Sequence, residues 1–281
     1  MRERERLDLL VSSSPVSGII TQNYSPKNDQ SIKKGERVFY TNQNAKIIDT
    51  IRKHIDEISP KNNRRFFLAP LLVESSKKVN TCGVFKGFYK DKKTGKGKFG
   101  GTDGNSLTRI KSRIEINEPI LSNFSCKYKV YKKDAFKLVN GELKNKKIDI
   151  AYLDPPYNQH PYGSNYFMLN VICHNAIPDK ISRVSGIPKK WNKSNFNIKK
   201  NAEKELNKII NVINSKFIIL SYNSEGHISI EKISSILGRY GIVKRIEIPY
   251  KTFRGCRNLK ERNSNIKEYL FVLEKKGGTW N

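Results

Sequence analysis

The chain has 281 residues, enough to bury a sizeable core, and its 37% hydrophobic content is low but still globular. The 54 Lys and Arg against 26 Asp and Glu give a formal charge of +28, which concentrates polyanions at the surface and favours nucleic acid as a partner, although codon bias in a chain rich in Lys, Asn and Ile gives a similar excess. No apolar run approaches membrane-spanning length, and Leu7 to Ile20 is too broken by Asp8 and serines for a signal peptide, so a membrane partner is excluded.

In chain order, Asn44 to Ile58 places Ile47, Ile48, Ile51, Ile55 and Ile58 at three- and four-residue spacing, which predicts an amphipathic helix with Asn44 as its cap. His54 falls on that helix among charged neighbours and reads as a solvated or packing residue. A second helix is expected over Arg65 to Val79. Residues 83 to 113 then change character, with seven glycines and nine Lys and Arg against two acids. Phe85, Phe88, Tyr89 and Phe99 are interspersed. Glycine lets backbone approach phosphates, Lys92, Lys93, Lys96 and Lys98 neutralise them, and the aromatics are suited to wedging or stacking on bases; a plain surface loop is the other reading. The stretch contains Gly-x-Gly-x-x-Gly at Gly95, Gly97 and Gly100. It follows Tyr89-Lys90-Asp91-Lys92-Lys93 rather than an apolar strand, so it is not read as a nucleotide-binding loop.

A strand is expected over Lys127 to Tyr131, leading into Asp134-Ala135-Phe136. Ile148 to Leu153 reads as a buried parallel strand. The helix Ala202 to Ile213 precedes a further buried strand, Phe217 to Leu220, and the alternating stretches Val243 to Ile248 and Tyr269 to Leu273 read as an antiparallel pair that closes the sheet. Between these two, Lys251, Arg254, Arg257, Lys260, Arg262 and Lys267 face only Glu261, a second candidate phosphate-contacting loop. Cys82, Cys126, Cys173 and Cys256 are far apart, signal neither a zinc site nor a disulfide framework, and suggest a reduced, cytoplasmic setting; no metal is expected.

The most informative stretch is Asp154-Pro155-Pro156-Tyr157, directly after the strand ending at Leu153. Open α/β sheets bind ligands at the carboxyl ends of their strands. The two prolines cannot continue a ladder and fix φ, so the loop is stiff and the Pro155 carbonyl has a set direction. Such a loop accepts hydrogen bonds from an amino group while Tyr157 stacks on the ring that carries it. The plain reading is a strand-ending turn.

This tetrapeptide resembles the catalytic signature of the adenine-specific (N6) DNA methyltransferases of the Asp-Pro-Pro-Tyr, or D12/Dam-like, class. The likeness extends to Arg37-Val38-Phe39-Tyr40-Thr41 with Asn44-Ala45, to Lys78-Val79-Asn80-Thr81, and to Asn158, Tyr162 and Asn165-Tyr166. Ser221-Tyr222-Asn223-Ser224-Glu225-Gly226 and Glu268 to Glu274 complete it, so that it spans roughly residues 20 to 275. Phe167 and Asn170 stand where other branches carry His and Glu, and no role is carried over to them.

The resemblance implies transfer of a methyl group from S-adenosylmethionine to adenine N6 in double-stranded DNA, with the target adenine flipped out of the duplex. Asp154 and Pro155 would accept from the N6 amino group, and Tyr157 would stack on the base. Asn158, Tyr162, Asn165 and Tyr166 are candidate target-pocket residues, although Asn165 would serve equally as a helix cap. Asp134, with Ala135 and Phe136, would meet the adenine of the cofactor; a helix cap is again the plain reading of Asp134. Related loops act on cytosine N4 and on guanine N2 in RNA, and a non-catalytic DNA-binding remnant or subunit is a further alternative.

The implied fold is the carboxyl-terminal part of a Rossmann-like methyltransferase sheet, α/β, with a helical and basic-loop insertion. Residues 1–36 are expected as an irregular amino-terminal segment, 37–125 as the DNA-recognition region and 126–281 as the catalytic region. The Phe-x-Gly-x-Gly loop with which such enzymes hold their cofactor does not precede residue 60. A separate amino-terminal methyltransferase segment is therefore an expected partner, within a restriction-modification system.

Overall fold

A computed structural model describes residues 14–81, 83–101, 104, 106–251 and 265–276. These divide into two compact units. The first gathers the described residues up to Ser125 together with Gly163–Trp191; the second comprises Cys126–Tyr162 and the described residues from Asn192 onward. The stretch 163–191 thus leaves the expected 126–281 region. Its helical part carries Phe167, Met168, Val171 and Ile172, which are buried among aromatic and aliphatic side chains of the first unit.

The first unit is helical. Its elements are α1 (Ile19–Tyr24), α2 (Asn42–Glu57), α3 (Arg64–Lys78) and α4 (Leu107–Lys111). Helix α1 corrects the expectation that residues 1–36 are irregular, because Ile20 and Tyr24 are fully buried in the unit's core. Helix α2 follows the isoleucine spacing, and each of the withdrawn Ile48, Ile51 and Ile55 contributes about 2 kcal/mol of apolar burial. Its cap is Thr41, whose side chain accepts from the Asn44 amide. Asn44 instead lies inside the helix and is buried: Nδ2 donates to the carbonyls of Ile110 and Ser112, and Oδ1 accepts from Ile114 N at 3.0 Å.

Asp49 on the same helix is buried, and its carboxylate accepts from the amides of Gly18, Ile20 and Thr21 and from the Thr21 hydroxyl, 2.6 to 2.9 Å away. A carboxylate at a helix start satisfies amides that have no partner within the helix. It thereby fixes α1 to α2.

The second unit holds a four-stranded sheet. Helix α5 (Ala135–Asn140) precedes strand β1 (Ile148–Leu153). Two helices, α6 (Tyr162–Asn165) and α7 (Phe167–His174), then fall at or beyond the boundary of the first unit. Helix α8 (Lys199–Val212), β2 (Ser215–Asn223), α9 (Ile230–Gly238), β3 (Gly241–Lys251) and β4 (Asn265–Lys275) follow. The strand order is β1-β2-β4-β3, with β1 and β2 parallel and the remaining pairs antiparallel.

Ala151, Ile218, Leu220, Phe271 and Leu273 lie on one face and pack with Leu206, Ile210, Ile233 and Leu237 of α8 and α9. Among the described residues, nothing covers the opposite face. Ile150 and Tyr152 of β1 are 58% and 60% exposed, and Ile242, Ile246 and Ile248 of β3 share that face through register partners on β2 and β4.

The expected strand over Lys127 to Tyr131 forms no ladder. Residues 126 to 130 are exposed, and among the described residues β1 pairs with β2 alone. Extended backbone without a neighbour cannot pair its amides, so the alternating pattern alone does not make a strand. No helix among the described residues is long and apolar enough to cross a membrane.

Replacing Asp49 with Ala leaves four donors without their shared acceptor, and is expected to destabilise the fold by roughly 2–4 kcal/mol, read from the urea midpoint at unchanged slope.

Candidate active site at the carboxyl edge of the sheet

Strand β1 ends at Leu153, opposite Leu220 of the parallel β2, so the segments that follow both strands emerge at the same edge. Pro155 is buried and Pro156, Tyr157 and Asn158 are half-buried, while Asp154 is exposed at the strand end. A stiff proline pair seated in the protein carries an acidic side chain outward, an arrangement suited to a ligand with hydrogen-bond donors.

Hydrogen bonds hold the loop at two successive carbonyls. The Tyr157 carbonyl accepts from His227 N at 2.9 Å, and the next carbonyl, that of Asn158, accepts from Asn197 Nδ2 at 2.8 Å. The Tyr157 ring stands edge-on to Tyr222, with centroids 6.4 Å apart and an interplanar angle of 73°. Tyr222 is buried, its oxygen accepts from Ile228 N at 3.1 Å, and burial pushes its phenol above the usual range, so it is a neutral hydroxyl at physiological pH. Gly226 lies against that ring. A Cβ there would come within 2.2 Å of Tyr222 Cε1, so the close approach requires glycine. The turn is fixed further by Asn223, whose Oδ1 accepts from Glu225 N and whose Nδ2 donates to Glu268 Oε1 at 2.7 Å.

The remaining expected residues fall in several places. The Asn158 side chain closes a local turn, its Oδ1 accepting from His160 N at 2.9 Å. Asp134 caps α5 by accepting from Lys137 N through Oδ1, and Phe136 is half-buried against the sheet core with the Lys208 amine 5.3 Å from its ring. Tyr162 is exposed in the second unit. Asn165 and Tyr166 belong to the first unit: the Asn165 carbonyl accepts from Phe85 N, its Oδ1 is buried without a hydrogen-bond partner, and Tyr166 is exposed with its ring 5.8 Å from that of Phe85. Phe167 packs edge-to-face on Phe39 at 5.6 Å, which explains an apolar residue at that position.

Within the Gly- and Lys-rich stretch, residues 90–97 form a short hairpin. Lys90 bridges Gly97, and Asp91 Oδ1 accepts from the amides of Lys93 and Thr94 and from the Thr94 hydroxyl. Bonds from the Thr94 amide and hydroxyl hold the Asp91 carboxyl below the usual carboxylate range. Lys92, Lys93 and Lys96 are exposed on this hairpin and Lys98 is half-buried. Gly97 takes part in packing, since a Cβ there would meet Val38 Cγ2 at 2.3 Å. Phe85 is buried and Phe88 packs on Phe39 at 5.2 Å. These two aromatics serve the core rather than nucleobases. Arg254 and Arg257 lie outside the described residues.

Sequence reasoning passed over Asn197 and His227. For Asn197 a signal existed: Ser194-Asn195-Phe196-Asn197 has capping-box spacing, and both reciprocal bonds are present. The contact of His227 uses its backbone amide, which no side-chain pattern reveals.

Residues 19–236 match the family described as D12 class N6 adenine-specific DNA methyltransferase. Among characterised proteins, the chain is 29% identical over 284 residues to the type II methyltransferase M.NlaIII of Neisseria lactamica, covering 98% of this chain and 77% of that protein. It is 29% identical over 270 residues to the type II methyltransferase M.CviAII of Paramecium bursaria Chlorella virus 1, covering 95% of this chain and 73% of that protein. A third relative, the modification methylase StsI of Streptococcus sanguinis, is 32% identical over 254 residues, 86% of this chain and 35% of that protein. No solved structure matches the chain significantly.

Proposed function

The chain belongs to the D12 class of N6 adenine-specific DNA methyltransferases, and on that premise we propose that it methylates adenine N6 within a specific duplex DNA site, as the modification enzyme of a restriction-modification system in the cytoplasm. The observation that carries this reading is the Asp154-Pro155-Pro156-Tyr157 loop, seated at the carboxyl edge of a parallel strand pair and tied down at two successive carbonyls.

The amino group of adenine is out of reach within the duplex, so the base is flipped. The Asp154 carboxylate and the Pro155 carbonyl accept from N6, and Tyr157 stacks on the ring. Both acceptors oppose delocalisation of the nitrogen lone pair into the base and aim it for in-line attack, so the protein contributes positioning and electrostatics. S-adenosylmethionine, when bound, supplies an electrophilic methyl group. The donor set at the start of α5 fits its adenine: Asp134 engages one oxygen in the helix cap and has a second acceptor, while Ala135 N, in the first turn, has no acceptor within the helix. Phe136 supports this pair from the core side. We assign Asn158 and Tyr162 to the target pocket. Asn165, Tyr166 and Lys92, Lys93, Lys96 and Lys98 at the hairpin are assigned to DNA from the first unit, and Arg254 and Arg257 to phosphates. In the Asp154→Ala variant, tritiated-methyl transfer should vanish while duplex affinity stays within about threefold, because Asp154 engages the flipped base rather than a phosphate. Retention of most activity would remove Asp154 from the site.

Replacing Lys92, Lys93, Lys96 and Lys98 together should shallow the slope of log affinity against log salt, by up to about 0.9 for each phosphate that is no longer neutralised. An unchanged slope would make the hairpin a bystander.

The sheet face and the β1 edge that have no partner among the described residues support a further element of the same reading. Alternation along a parallel pair, with Ile148 N bonded to Asn214 O, turns the backbone groups of Asp149, Ala151 and Leu153 away from β2. A methyltransferase segment, supplied separately, would pair with this edge, cover Ile150 and Tyr152, and complete the cofactor contacts. Calorimetric titration of this chain with S-adenosylmethionine should then give very weak binding that such a segment restores; micromolar affinity of this chain by itself would reject the requirement.

A further inference from the structure

Asn197 is 93% withdrawn from solvent and lies in the second unit, in the 3₁₀ turn Asn195–Asn197 that precedes α8. Its side-chain amide works in two directions. Oδ1 accepts from Ser194 N at 3.1 Å, which closes the turn, and Nδ2 donates to the Asn158 carbonyl at 2.8 Å, across 39 positions of sequence. The neighbouring Tyr157 carbonyl is held by His227 N. With both carbonyls engaged, the peptide planes on either side of Asn158 are restrained, and the Cα–Cβ direction of Tyr157 follows from the backbone so held. The ring then rests edge-on to Tyr222, whose hydroxyl is held by Ile228 N.

We propose that Asn197 is a positioning residue: through the Asn158 carbonyl it restrains the backbone next to Tyr157 before DNA arrives, so that the stacking surface for the target base is preorganised. The proposal rests on the reading that residues 154–157 hold that base. The position requires a side chain that accepts and donates at once. Aspartate is isosteric and keeps the acceptor for Ser194 N, but it sets an oxygen against the Asn158 carbonyl in place of the donor. Asn197→Asp therefore separates the clamp from the cap. Ser194→Ala does the opposite, removing the hydroxyl that accepts from Phe196 N while leaving the Asn197 amide in place.

The test uses the full chain, with any segment it requires for activity, and reads two quantities. Hydrogen–deuterium exchange of the amides between 154 and 162 and of His227 should quicken about tenfold in Asn197→Asp and stay unchanged in Ser194→Ala, with the core of β2 unaffected in both. Steady-state methylation of plasmid DNA should show kcat lowered by about ten- to a hundredfold in Asn197→Asp, with KM for DNA and for S-adenosylmethionine within about threefold. Equal effects of the two substitutions, unchanged loop exchange, or a loss confined to KM would each overturn the proposal. Absence of methyl transfer by the unaltered protein would count against the function itself, and the exchange measurement would still decide the clamp.

Discussion

The parallel register of β1 on β2 is the constraint from which the candidate site follows. Pairing Leu153 with Leu220 makes both strands end at the same sheet edge, and only then do the loop from Asp154 and the turn from Ser224 to Ile228 lie side by side. A shift of β1 by one residue would turn Ala151 out of the core and Ile150 into it. Burial of Ala151, Ile218 and Leu220 under α8 and α9 thus sets the register, and the register sets the chemistry. In this way ordinary hydrophobic packing determines where an exposed carboxylate stands.

The two prolines make the loop rigid, but rigidity alone does not aim an aromatic ring. Aim comes from backbone carbonyls held by groups remote in sequence: an amide nitrogen on the β2 turn and a side-chain amide ahead of α8. The buried phenol of Tyr222, pressed against Gly226, provides a wall that a longer turn side chain would displace. Motif and support are separate inventions of the chain, one local and one distributed.

This division explains what was legible in the sequence. Strand β1, its terminal motif, the isoleucine helix α2 and the β3–β4 pair all announce themselves by local pattern, and the structure places them within a few residues of the expected bounds. The errors arise where partners decide. Asn44 has the composition of a cap, yet Thr41 is the residue before the first turn, and the Asn44 amide is recruited to the chain around Ile110 to Ile114. Lys127 to Tyr131 alternates like a strand but has no ladder to join. Asp49 is unremarkable by pattern and becomes the anchor of α1 because three amides and a hydroxyl converge on it. The stretch 163–191 returns to the first unit for lack of any local sign, since apolar helices pack wherever a matching core exists.

Strand β1, whose outer edge has no partner among the described residues, and the apolar face beside it also bear on how copies of this protein behave towards one another. Two such edges pair readily in water, and apolar faces of this kind adhere. A formal charge of +28 opposes their meeting. That repulsion reaches only about 8 Å at physiological ionic strength and shortens as salt rises. The cations that draw in a polyanion therefore also act as a colloidal stabiliser, and neutralising them on a nucleic acid removes the barrier that keeps neighbouring sheets apart.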